Sequence, residues 1–216
     1  MKKRLSLAVA AAAVLLFPLA AAAQSAKPPA KKPASADTAA HKHDMANMPG
    51  MSAKITIPAG AIYTVADVEF MQGMIAHHGQ AIYMSRLAAA AGASPRVLKF
   101  AGKIDQSQAT EIRLMQEWLV ANKQTAPVAE SWRTMTMPGM LTAEQLKTLD
   151  AAKGVEFDRQ FLNLMIQHHN GALKMVADLF ATPRAGQDVD VSVFANDVVV
   201  VQTAEIDIMN QMLANL

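Results

Sequence analysis

Apolar side chains recur at three- and four-residue steps through most of residues 61–216, and no 35-residue stretch alternates with period two. The pattern predicts helices throughout. Thr64, with Asp67 three positions on, reads as an N-cap for a first helix running to about Ala90, and Gly92 supplies its C-terminal stop. Ser94-Pro95 offers a cap and a first-turn proline for a second helix to about Asn122. Along it Leu98, Ala101, Ile104, Gln108, Ile112, Met115 and Leu119 are expected to share one face. Residues 123–141 form a connector carrying Pro127 and Met135-Thr136-Met137-Pro138-Gly139-Met140. Thr142-Ala143-Glu144-Gln145 is a capping-box pattern opening a short helix to about Ala152, which Gly154 is expected to interrupt. A third long helix then covers about Val155 to Ala181, ahead of Pro183, and a fourth runs from about Asp188 to Leu213. The Val198-Val199-Val200-Val201 run inside the last helix has strand character. The Gln202-Thr203-Ala204-Glu205-Ile206 that follows matches the second helix instead.

That match extends over a whole helix pair. Phe70-Met71-Gln72-Gly73-Met74-Ile75-Ala76-His77-His78 returns as Phe161-Leu162-Asn163-Leu164-Met165-Ile166-Gln167-His168-His169. Asp67, Ala81 and Met84 correspond to Asp158, Ala172 and Met175, and Gln108, Glu111 and Ile112 to Gln202, Glu205 and Ile206. Met48-Pro49-Gly50-Met51 recurs as Met137-Pro138-Gly139-Met140. Two hairpins with apolar faces bury them best against each other. The expected fold is therefore all-α, a four-helix bundle made of two duplicated helix-pair repeats, residues 61–122 and 142–216, joined by the connector.

Four of the six histidines sit in the two His-His pairs. At about 100° per residue Asp67, Phe70, Met74, His77, His78, Ala81 and Met84 fall within an arc of roughly 120°, so the histidines are expected on the buried stripe. With the first hairpin turning near Gly92–Ser94, His77, His78, Gln108 and Glu111 come level, and the second repeat brings His168, His169, Gln202 and Glu205 to the same layer. Asp67 lies about 16 Å from His78 along the helix, which suits a cap better than a co-ligand. Both Met-Pro-Gly-Met segments precede a long helix and are expected at the Asp67 end.

Composition changes the picture at the N-terminus. Lys2-Lys3-Arg4, the apolar Leu5–Leu19 and Ala21-Ala22-Ala23 before Gln24 read as a signal peptide over residues 1–23. After cleavage 17 basic side chains face 18 acidic ones, so the apparent basic character disappears. Nothing then suggests nucleic acid, and no membrane association is expected once the signal is removed. Residues 24–60, with Lys27-Pro28-Pro29 and His41-Lys42-His43-Asp44-Met45, read as a Pro/Met/His-rich linker without stable structure. The chain has no cysteine, so an exported form depends on packing alone.

Candidate chemistry follows from these residues. Neutral imidazole suits Cu(II), thioether sulfur suits Cu(I), and carboxylates serve as ligands or as partners that orient a histidine. His77, His78, His168, His169, Glu111, Glu205, Met74 and Met165 are the candidate ligands in the bundle. Met48, Met51, Met137, Met140, His41 and His43 are candidates outside it, since Pro/Gly segments offer loop methionines no evident core. Adjacent histidines diverge by about 100°, so a site is expected to span both repeats. A purely structural His-Gln-Glu network satisfying buried polar groups is the competing reading.

With Met-Ile-x-His-His twice, Phe four residues ahead of each Met, and Gln-x-x-Glu-Ile on each following helix, the sequence resembles the domain-of-unknown-function 305 family over about residues 44–216. The resemblance implies a secreted bacterial protein of ferritin-like helical fold, in a family where some members bind copper in the periplasm. A di-iron site of that fold uses Glu-x-x-His, whereas Met74-x-x-His77 and Met165-x-x-His168 carry methionine at the carboxylate position. The expected function is an exported, periplasmic or secreted metal-binding protein for copper capture or tolerance, with Cu(I) or Cu(II) as the ion. A ferritin-like redox enzyme and a non-catalytic interaction module with a structural histidine layer are the alternatives.

Overall fold

The computed structural model describes residues 55–216. They form α1 (Val65–Ala90), α2 (Pro95–Ala121), α3 (Ala143–Ala151), α4 (Gly154–Ala181) and α5 (Val189–Leu213), with a 3-10 turn at Ala129–Arg133 and no strand among the described residues. The expected all-α architecture of four long helices is what the chain adopts. The Val198–Val201 run lies inside α5, where Val198 alone of the four is buried. The signal and most of the linker expected at residues 1–60 lie outside the described residues. Ile55, Ile57 and Ala61 pack against the core, so packed chain begins ahead of α1.

Local signals act where the spacing places them. Thr64 Oγ1 accepts from the Asp67 amide while the Asp67 carboxylate accepts from the Thr64 amide at 2.6 Å, closing a capping box. Thr142 and Gln145 do the same for α3. Gly154 has φ +55 and begins α4, and its N–H donates to Ala91 O at 2.9 Å. On α2 the buried stripe starts at Val97, one position from the expected Leu98, which is 43% exposed.

The two hairpins are held end to end by matched contacts. Gly186 N–H, in the α4–α5 turn, donates to Asp67 Oδ1 at 2.6 Å, and Ser94 N–H, in the α1–α2 turn, donates to both Asp158 carboxylate oxygens at 3.2 Å. The start of α1 thus meets the end of α4, and its end meets the start of α4, so the two helices run antiparallel. Asp67 and Asp158 consequently mark opposite ends of the bundle.

This corrects the expectation that both Met-Pro-Gly-Met segments gather at the Asp67 end. The nine-residue α3 carries the chain from mid-bundle to the start of α4, leaving Met137–Met140 at mid-height, where Pro138 O accepts from His77. It also corrects the expected narrow stripe on α1. Eighteen of its 26 residues are buried, because the connector covers the side that would otherwise face solvent. Close approach there depends on two glycines. A Cβ on Gly79 would stand 2.0 Å from Ala129 O, and one on Gly171 would stand 2.0 Å from Pro138 O.

Two apolar clusters fill the interior. One gathers around Phe70, Met74, Met115 and Phe194, the other around Ile104, Phe157, Phe161 and Met165. On every long helix the polar residues of interest fall between the two: His77 and His78 on α1, Gln108 and Glu111 on α2, His168 and His169 on α4, Gln202 and Glu205 on α5.

Candidate metal centre

All four histidines are fully buried, and α1 and α4 cross at them. The rings of His77 and His168 lie 3.8 Å apart between centroids at 37°, one from each hairpin. His78 and His169 diverge from their neighbours, each 6.4 Å from the adjacent ring, and turn outward to α2 and α5. There His78 Nε2–H donates to Glu111 Oε2 at 2.6 Å and His169 Nε2–H to Glu205 Oε2 at 2.7 Å. The pairing follows from helical geometry, since residues equally far from a hairpin turn come level. Both carboxylates remain partly exposed, so each outer pair connects the buried layer to the surface.

Hydrogen bonding assigns the ring nitrogens. Pro138 O can only accept, so His77 Nε2 at 3.1 Å carries the proton and Nδ1 keeps its lone pair. Where the outer rings are neutral, donation to Glu111 and Glu205 leaves their Nδ1 lone pairs free in the same way. The Nδ1 atoms of His77, His78 and His169 and both ring nitrogens of His168 are buried without a hydrogen-bond partner. Gln108 Oε1 and both side-chain polar atoms of Gln202 are buried and unpartnered alongside them. Each such atom costs about 1–3 kcal/mol if it stays unsatisfied.

The electrostatics agree with neutral inner rings. Burial first, and then the neighbouring His78 charge, lower the His77 pKa from 6.5 to about 3, against an opposing push from the Pro138 carbonyl. Burial and the adjacent His77 hold His168 well below its ordinary value. For Glu111, burial alone would raise the carboxyl, but the His78 hydrogen bond and charge more than reverse it, and it stays ionised below its usual range.

Donor chemistry here fits a soft or borderline cation. Imidazole nitrogens with bare lone pairs, held on the far side by a carboxylate or carbonyl, are the usual arrangement around a ligating histidine. Among the described residues no three His, Asp or Glu side chains form a ready cluster around one point. Glu111 and Glu205 are each engaged with their own histidine, unlike bridging carboxylates. Met74 and Met165 stand one turn from His77 and His168 but belong to different apolar clusters, on opposite sides of the layer. Met137 and Met140 are 4% and 9% exposed and pack into the interior, with Met140 Sδ accepting from the Met137 amide at 3.3 Å. Met135 is equally buried. The connector thus offers its methionines a core despite its Pro/Gly content, which corrects the expectation that these loop methionines have none. His41, His43, Met48 and Met51 lie outside the described residues.

Two contributors were not legible as site residues. The Pro138 carbonyl reaches His77 from 61 positions away, and Gln80 clamps the connector by donating to Leu141 O at 3.1 Å and accepting from its N–H at 2.7 Å. The available signal was Gly79 and Gly171 inside helices, since a helix-interior glycine marks a close backbone approach.

The profile of the family described as Domain of unknown function (DUF305) matches residues 67–213. A DUF305 fragment from Deinococcus radiodurans is 30% identical with a TM-score of 0.62, over 71% of this chain and 99% of that one. A DUF305 protein from Streptomyces coelicolor, described as a candidate secreted protein, is 29% identical with a TM-score of 0.60, over 69% and 93%. CopM in its Cu(I)-bound form is 29% identical with a TM-score of 0.55, over 69% and 96%, and a Cu(II)-bound form of CopM is equally similar. No curated protein matches the chain.

Proposed function

The chain belongs to the DUF305 family, and we propose that it is an exported copper-binding protein whose histidine layer and methionines hold copper as cargo. The observation that carries this reading is the set of buried imidazole nitrogens without partners, backed by Glu111, Glu205 and the Pro138 carbonyl on their other side. Imidazole serves Cu(II) and thioether serves Cu(I), so a site that draws on both donor types accommodates either oxidation state. Solved structures of CopM with Cu(I) and Cu(II) support the choice of ion. The apolar residues of the N-terminal 23 positions support export, and the two matched His-His and Gln-x-x-Glu sets support an internal repeat with a shared layer.

His77 and His168 are the inner donors in this reading, and Met74 and Met165 are candidates to complete their coordination from either side. His78 and His169, tied to Glu111 and Glu205, form the two routes from the surface. Met48, Met51, His41 and His43 are the candidates for initial capture, and Met137 and Met140, buried in the bundle, are candidates to hold the ion inside it. Copper titration against a competing chelator tests the assignment. A variant with His77, His78, His168 and His169 changed to Gln is expected to lose tight binding, and one with Met48, Met51, Met137 and Met140 changed to Leu to weaken Cu(I) uptake. Copper affinity unchanged in both variants removes the reading. Glu111→Gln, which keeps shape and removes charge, is expected to weaken binding by about 10–100-fold.

A further inference from the structure

Methionine is concentrated on one side of the histidine layer. Seven of the buried residues in the cluster around Phe70 and Phe194 are methionine and two are leucine, while the cluster around Phe157 and Phe161 holds four of each. Leucine fills a similar volume and has fewer rotamers to freeze, so packing alone does not call for that excess. Three of the seven gather at one place. A Cβ on Gly73 of α1 would stand 3.2 Å from Met137 Cε, 3.3 Å from Met137 Sδ and 3.5 Å from Met175 Cε. The missing side chain thus admits a connector methionine and an α4 methionine together. Met140 Sδ accepts from the Met137 amide at 3.3 Å, which keeps the second sulfur of the tetrapeptide beside the first residue. Gly139 packs on Gly171, one turn ahead of Met175 on α4.

Position and donor type favour an ion over plain filling. Met137, Met140 and Met175 are 4%, 9% and 7% exposed, against 0% for Met74 and Met115, so they lie just beneath the surface rather than at the centre. Thioether sulfur is neutral and soft, and it selects a monovalent soft cation such as Cu(I) or Ag(I) over Cu(II). The amide hydrogen bond to Met140 uses one sulfur lone pair and leaves the other. Gly73 stands four residues, about 6 Å of helix rise, before His77. Pro138, between the two connector methionines, accepts from His77 through its carbonyl. The three thioethers therefore adjoin the histidine layer and share no ligand with it.

We propose that Met137, Met140 and Met175 form a soft-cation site of their own over Gly73, binding Cu(I) or Ag(I) through thioether sulfur alone. It rests on the copper reading for the class of ion and adds a second, weaker site beside the histidine layer. The test titrates Ag(I) into the full chain with carbon-13 labels on the methionine methyls, each assigned by a single change to Leu. With His77, His78, His168 and His169 changed to Gln, the Met137, Met140 and Met175 methyls should shift together and saturate at one ion. Met84 and Met209, in the other cluster, should stay in place. In the parent the same three methyls should respond at the second equivalent, which keeps the test valid if the histidine variant unfolds. Changing all three methionines to Leu, which conserves volume, should remove one ion from the stoichiometry and leave the histidine-bound ion. Three unmoved methyls, a shift confined to one of them, or an unchanged ion count in the Leu variant overturns this site while the copper reading stands. A parent that binds neither Ag(I) nor copper overturns both.

Discussion

His77 shows how much one side chain's position depends on contacts distant in sequence. Its Nε2 is held by Pro138 O and its ring lies against His168, with no water-exposed surface. Burial therefore keeps it neutral in the fold, while in the unfolded chain it titrates near 6.5. A depressed folded pKa means the unfolded state binds protons first as pH falls. The stability contributed by the neutral ring is complete above about pH 6.5 and is lost progressively down to pH 3. The expected slope is about 1.4 kcal/mol per pH unit for His77, with His168 adding in the same direction. Urea titrations of metal-free protein between pH 7 and 4 measure it, and a pH-independent midpoint would mean the inner rings are not buried neutral. The partners of His78 and His169 were legible from the sequence, because hairpin arithmetic fixes which residues stand level. The partner of His77 was not, since a backbone carbonyl carries no residue-type signature.

At the level of elements, helix ends were written locally and helix faces were not. The Thr64–Asp67 and Thr142–Gln145 boxes, Pro95 and Gly92 act within a few residues, and they delimit the helices where spacing placed them. The environment of α1 depends instead on a connector arriving from beyond α2. Its arrival turns an expected amphipathic helix into one buried on most sides, with Gln72, Gln80 and both histidines inside. Gly79 on α1, against Ala129, and Gly171 on α4, against Pro138, are the contacts that permit it. Gly171→Ala would place a Cβ 2.0 Å from Pro138 O and 2.5 Å from Gly139 Cα, both backbone atoms that cannot rotate away. A loss of about 1–3 kcal/mol is expected from denaturant unfolding, despite alanine's better helix propensity. A stabilised variant would show that the connector yields without consequence.

Across the whole molecule, Asp67 and Asp158 join the hairpins at opposite ends, roughly 35 Å apart by helix rise. Removing either leaves amide donors unpaired in a turn of the other hairpin, at a cost of about 1–3 kcal/mol. Asp67→Ala and Asp158→Ala should add within about 0.5 kcal/mol in the double variant, as distant sites without shared partners do. Strong non-additivity in equilibrium unfolding would mean the two ends communicate through the histidine layer. Sequence alone determined the helices, their caps and the level at which His-His meets Gln-x-x-Glu, because each depends on residue type and on the fixed rise and pitch of a helix. Tertiary structure alone decided that α1 and α4 run antiparallel, that Met137–Met140 lies at mid-height inside the core, and that the His77 ring packs at a tilt against that of His168. Those outcomes depend on which surfaces meet across long sequence separations, where packing and close backbone approach decide and local pattern is silent.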